Sequence, residues 1–162
     1  MKRYVGITGF VSRAEVDFAL SVLPEGLTLM CGVLVSAKSL AGVKNKWHRR
    51  YPAPEEIADI FSPDPRCLNL IHYSSEEAPH VTTVRRLLAV GYPECHGFQF
   101  NGAWPEPETL ASLDGAHVVF QVRTDGKGSA AWRALDRLRA ALDKIGDCHV
   151  HVLVDASAGR GL

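Results

Sequence analysis

The sequence predicts an α/β fold built on a parallel sheet covered by helices. Short, nearly continuous apolar runs recur along the chain, and segments with helical apolar spacing separate them. Six such β–α steps follow one another with no second composition regime, so the 162 residues read as one domain, 1–162. Two architectures fit this alternation, a (β/α) barrel and an open doubly wound sheet. A full barrel has eight strands and typically about 250 residues, so length alone favours the open sheet.

The first strand is expected at residues 4–8, and the start of the next helix is well marked. Ser12 and Glu15 have the spacing of a capping box, and Val11 and Val16 that of a hydrophobic staple. Val16, Ala19, Leu20 and Leu23 continue one apolar face until Pro24 stops the helix. The second strand is residues 27–36, followed by a polar loop over 37–51. Pro54 opens a helix carrying Ile57, Ile60 and Phe61, and the third strand is residues 67–73. A helix over 81–90 is expected to close at Gly91 in the C-terminal capping position. The fourth strand is residues 97–101, with a short helix from Pro107, and the fifth is residues 117–123. Ser129 caps a helix with Trp132, Leu135, Leu138, Leu142 and Ile145 on one stripe, which Gly146 ends. The sixth strand is residues 149–155, and the sequence closes with Gly159-Arg160-Gly161-Leu162.

Eighteen Lys and Arg balance eighteen Asp and Glu, so bulk charge points to neither nucleic acid nor an anionic membrane. A small anionic metabolite remains compatible, because local clusters decide that. No apolar run is long enough to span a bilayer, and Met1-Lys2-Arg3-Tyr4 leads directly into a strand with no secretory signal. Cys31, Cys67, Cys95 and Cys148 form no CxxC pair, and read as small core or loop residues in a reducing cytoplasm.

The strand ends carry recognisable motifs. Val5-Gly6-Ile7-Thr8 is similar to a Cys-Gly-Ile-Thr opening, and Lys38-Ser39 with Arg50-Tyr51 to a Lys-Ser-Pro-Arg-Tyr stretch opened by an insertion. Phe98-Gln99-Phe100-Asn101-Gly102 is similar to Val-Gln-Leu-His-Gly. Leu153-Val154-Asp155 with Gly159-Arg160-Gly161 is similar to a Leu-Leu-Asp strand and its Gly-rich turn. In this order, across the whole chain, the motifs resemble phosphoribosylanthranilate isomerase, a (β/α)8 enzyme of tryptophan biosynthesis. The resemblance implies a TIM-barrel type fold, incomplete at six βα units, with two further units absent after Leu162 or supplied by a partner chain.

It also implies an intramolecular aldose–ketose isomerisation of a small phosphorylated aminosugar. An acid protonates the ring oxygen and a base removes the proton at C2. The matching acid is Asp155, at the carboxyl end of a strand where barrel enzymes place catalytic groups. Its other reading is a turn cap. Val5 stands at the base position and cannot accept a proton, which leaves His72 or Asp155 as candidates. Lys38, Arg50, Gln99, Asn101 and Arg123 are expected to line the pocket, with no metal and no organic cofactor. A small anionic metabolite is the expected partner, and a homodimer is left open. A catalytically silent metabolite-binding relative is the second reading. A nucleotide-binding doubly wound domain is the third, against which no glycine fingerprint follows the first strand.

Other constellations are read from the residues alone. Gln99 and Asn101 share one strand face, as do Gln121 and Arg123, and each pair serves either a polar ligand or a satisfied core. His149, His151 and Asp155 share a face, but about 20 Å of strand separates the first from the last, too far for one ion. Lys38, Lys44, Lys46, His48, Arg49 and Arg50 form the densest positive run, either a solvated loop or a holder of a carboxylate or phosphate, with Trp47 and Tyr51 able to cover a planar ring. Gly126-Lys127-Gly128 reads as a flexible turn, or as an anion site at the start of the helix that Ser129 caps, and Arg133, Arg137 and Arg139 read as solvated surface.

Overall fold

The computed structural model describes residues 2–43, 48–123, 129–143 and 145–155, apart from the side chains of His48, Arg123, Ala134, Asp155 and residues 129–132. Lys44, Lys46, Trp47, the 126–128 turn and the Gly-rich 156–162 segment lie outside the described residues, as does the side chain of Trp132.

Six parallel strands form one sheet in sequential order: β1 Arg3–Thr8, β2 Leu27–Val35, β3 Cys67–Ser75, β4 Gly97–Gly102, β5 His117–Arg123 and β6 His149–Asp155. A doubly wound sheet reverses strand order at a switch point. This order never reverses, so the open-sheet alternative is corrected. The sheet curls instead, in a half-barrel compatible with an incomplete barrel.

One sheet face packs on helices. Leu29, Cys31, Val33, Ile71, Phe98, Phe100, Val118 and Phe120 are buried with Val16 and Leu20 of α1 (Arg13–Ser21). Ile57 and Ile60 of α3 (Ile57–Ile60) and Val84 and Leu87 of α4 (Val81–Gly91) join them. Leu110 of α5 (Pro107–Ala111) and Leu138 of α6 (Ser129–Leu142) complete this layer. The other face is concave. Leu68, Leu70 and Val119 pack there with Tyr4 and Met30, and no described helical residue joins them.

Local signals explain most boundaries. Ser12 caps α1, its Oγ accepting from Glu15 N at 3.4 Å. The Glu15 carboxylate reaches back to Val11 N at 2.9 Å, one residue beyond the usual capping-box partner. The expected polar loop after β2 opens with a helical turn, α2 (Ala37–Leu40), because Ser36 and Ser39 cap each other's backbone N–H at 3.0 and 2.9 Å. His80 caps α4, accepting from Thr82 N.

Two helix expectations are corrected. Gly91 is the last residue of α4 rather than its cap. Its role is close approach, since a Cβ there would lie 2.7 Å from Cys95 Cβ and 2.9 Å from Phe61 Cε2. The α6 stripe is narrower than its spacing implies. Leu138 is buried, but Leu135 and Leu142 stay 43% and 42% exposed. The helix covers the sheet near its edge, where one row of side chains finds a partner. Arg137 is not simple surface either, because its guanidinium lies 4.9 Å over the Trp104 ring.

Both edge strands leave apolar side chains open. Ile7 on β1 is 41% exposed, and Val152 and Val154 on β6 are 45% and 65% exposed. Among the described residues, no helix is long and apolar enough to cross a membrane. All four cysteines are unbridged.

Candidate functional site

A pocket of about 290 Å³ opens at the carboxyl ends of β2, β3 and β4. Ser36, Lys38, Tyr51, Ser74, Ser75, Glu76, Glu77 and Asn101 line it. The α2 turn holds Lys38 on the rim, just past the end of β2. Ser74 pairs in register with Asn101, so β3 and β4 end side by side. Gly102 has φ of 100°, and any Cβ there would strike the Ser75 carbonyl, so only glycine lets β4 leave the sheet this close. Ala103 N donates to that same carbonyl at 2.8 Å.

Glu76 and Glu77 were not singled out in the sequence. Ser75 Oγ accepts from Glu77 N at 3.2 Å and fixes this turn. Two carboxylates beside one lysine give the rim mixed charge. Such a rim suits a ligand carrying an anionic group together with amine or hydroxyl groups, and is less suited to a bare polyanion.

One layer below the residues that line the pocket, the same face of the sheet is polar too. His72 pairs in register with Leu34 on one side and Gln99 on the other, and Gln99 pairs with the concave-face residue Val119. His72 and Gln99 are both buried. Neither His72 ring nitrogen has a hydrogen-bond partner among the described residues. Burial holds the imidazole neutral, with its pKa down at about 4. An unsatisfied buried polar group costs about 1–3 kcal/mol, so a leucine would serve stability better at this position.

The remaining sequence candidates fall elsewhere. Arg50 is not brought to the Lys38 pocket. It lines a groove of about 660 Å³ on the helical side of β1, with Ile7, Phe10, Val11, Phe18 and Val22. Its neighbour Tyr51 lines the Lys38 pocket. Arg123 and Asp155 end β5 and β6 as register partners, and their side chains lie outside the described residues. Val5 pairs with Leu29, whose side chain belongs to the helix-side core. Position 5 therefore stands on the face away from the concavity, and a base there would face the wrong side.

A second polar cluster occupies the concave face near the amino ends. His117 Nδ1 and His151 Nε2 are 3.0 Å apart, one donating and the other accepting according to tautomer. The His149 ring stacks on His117 at 4.6 Å. Burial, then the neighbouring histidines, His96 and Lys2, pull the His117 pKa down to about 4, and burial with His149 lowers that of His151. The His117 and His151 rings bond to each other rather than converging on a common centre. Among the described residues no group of three or more His, Cys, Asp or Glu side chains could hold a metal ion.

Comparison of the chain with protein-family models, with curated proteins and with solved structures gives no match.

Proposed function

We propose that the chain is a phosphoribosylanthranilate isomerase-like protein that binds a small phosphorylated aminosugar at the carboxyl ends of its strands. The observation that carries this reading is the shared pocket of Lys38 and Asn101, residues 63 positions apart that line one cavity. Lys38 would hold the phosphate or carboxylate, and Asn101 with Gln99 the sugar. Tyr51 would cover the aromatic ring. The mixed charge contributed by Glu76 and Glu77 suits an aminosugar phosphate better than a polyanion.

In the isomerisation, Asp155 would protonate the ring oxygen as the C1–O bond opens to an iminium. A base would then take the C2 proton, and the electron pair of that bond would flow toward nitrogen to give the enolamine. Arg123, the register partner of Asp155, would stabilise the ionised form of the acid. The fold reading that accompanies this is a (β/α)8 barrel, which the sequential strand order and the exposed apolar edges of β1 and β6 support.

The test is turnover of phosphoribosylanthranilate, followed by loss of its fluorescence, with Asp155→Asn as control. Turnover that disappears in the variant supports the reading, and no turnover by the folded wild-type protein removes the catalytic part of it. A second reading, a catalytically silent metabolite-binding relative, is favoured by Val5, which has the wrong chemistry and stands on the wrong face. Stabilisation by ligand without turnover would select it.

A further inference from the structure

We infer that His72, one layer below the residues that line this pocket, binds a hydroxyl of a sugar-like ligand, so that the site selects hydroxylated phosphates over phosphate alone. The inference rests on the reading of the Lys38 pocket as a sugar-phosphate site and adds the residue that recognises the hydroxyls.

His72 stands two residues before Ser74 on the same face of β3, about 6.6 Å below the rim at the usual strand rise. It is 5% exposed, and both ring nitrogens lack partners among the described residues. Its surroundings on the concave face are Leu70, Leu34 and Gln99. Nothing in that layer gives the imidazole a structural task, because it bridges no carbonyls and caps no helix.

A neutral imidazole offers one donor and one acceptor. That pair complements a hydroxyl, which has the same two capacities. It is less well matched to a phosphate, most of whose oxygens only accept, or to an ammonium, which only donates. The Gln99 amide beside it in register offers the same mixture. Lys38 supplies the only positive charge among the described residues lining the pocket. The rim thus offers one cation, Lys38, beside the Glu76 and Glu77 carboxylates, and the layer beneath it complements hydroxyls, which matches a hydroxylated ligand whose single phosphate meets Lys38. The imidazole is closed off from solvent and does not line the cavity, so the inference includes a turn of the ring toward the rim on binding.

The experiment uses the full chain with two probes, D-ribose 5-phosphate and inorganic phosphate. Affinity is measured by calorimetry, and the His72 ring nitrogens are followed by ¹⁵N NMR. The wild type is expected to bind ribose 5-phosphate at least tenfold more tightly than inorganic phosphate, and only the sugar phosphate should shift the His72 signals. His72→Leu should lose that preference and keep its affinity for inorganic phosphate. His72→Asn, which retains a donor and an acceptor, should keep part of the preference and controls for any folding defect of the leucine variant. Equal binding of both probes by the wild type with silent His72 signals, or an undiminished preference in His72→Leu, overturns the role of His72 while the anion pocket stands. Failure of the wild type to bind either probe removes the pocket reading and this inference together.

Discussion

Tyr4 of β1 and His151 of β6 meet edge to face, with ring centroids 5.2 Å apart and planes at 77°. Their strands are the first and last of the sheet and share no backbone hydrogen bonds. In a flat six-stranded sheet, strands spaced about 4.8 Å apart would hold these rings more than 20 Å from each other. The contact is therefore a direct measure of curl, and the curl turns six strand ends into a shared rim.

Asn69 is the polar clamp that sets β3 in this frame. Fully buried, it donates to Ser62 O at 2.7 Å and Glu94 O at 3.0 Å, and accepts from Ser62 N at 3.1 Å. Asn69→Leu keeps the volume but orphans these backbone groups. It should destabilise the protein by about 3 kcal/mol, lowering Tm by roughly 10 °C in a calorimetric scan. An unchanged Tm would mean that those groups find other partners.

Stability should fall as solutions are acidified. His72 and His117 have pKa values near 4 against 6.5 in an unfolded chain, and that of His151 is also lowered. The unfolded chain takes up protons near pH 6.5 and the folded chain does not, so the stabilisation is complete above that pH and is lost as pH falls toward 4. For deeply buried His72 the loss is about 3 kcal/mol. His117 is too exposed for a comparable figure. Urea midpoints measured across this window should slope downward, and His72→Leu should flatten part of the slope.

Gly102 and Gly115 separate collision from strain. Both have positive φ, 100° and 74°. A Cβ at Gly102 strikes the Ser75 carbonyl, whereas at Gly115 it meets nothing within 4 Å. Gly115→Ala should cost about 1 kcal/mol, the ordinary penalty of a left-handed alanine. Gly102→Ala should cost roughly 3 kcal/mol and distort the pocket mouth. Denaturant titrations of the two variants, alongside binding of ribose 5-phosphate, give the comparison.

Lys38 is exposed on the rim of the pocket. Lys38→Ala should leave stability within about 0.5 kcal/mol and weaken ribose 5-phosphate binding about tenfold. Addition of salt should weaken wild-type binding more than variant binding. Equal salt sensitivity would place the anion elsewhere.

The six strands and the first helix were legible because their signals are local. The apolar run of β2, the Ser12 cap and Pro24 each act within a few residues. Of the five residues expected to line a pocket, Lys38 and Asn101 share a cavity because β2 and β4 end on the same side of the sheet. What the sequence could not show depends on geometry between strands. The separation of Arg50 from Lys38 follows from the path of the chain after α2, and the isolation of His72 from packing on the concave face. The His117–His151 pair joins rings 34 residues apart through a diagonal that no spacing rule reveals. Gly91 illustrates an ambiguity within one residue type, because a glycine at a helix end serves either as a left-handed cap or as room for a neighbour, here Cys95 and Phe61.

The curl stands or falls with the meeting of the first and last strands. A NOESY spectrum with assigned aromatic signals should contain cross-peaks between the Tyr4 ring protons and the His151 ring protons, as rings 5.2 Å apart require. Their absence from a spectrum that does show the His117–His151 cross-peaks would mean an open sheet, with no common rim for Lys38, Asn101 and Asp155.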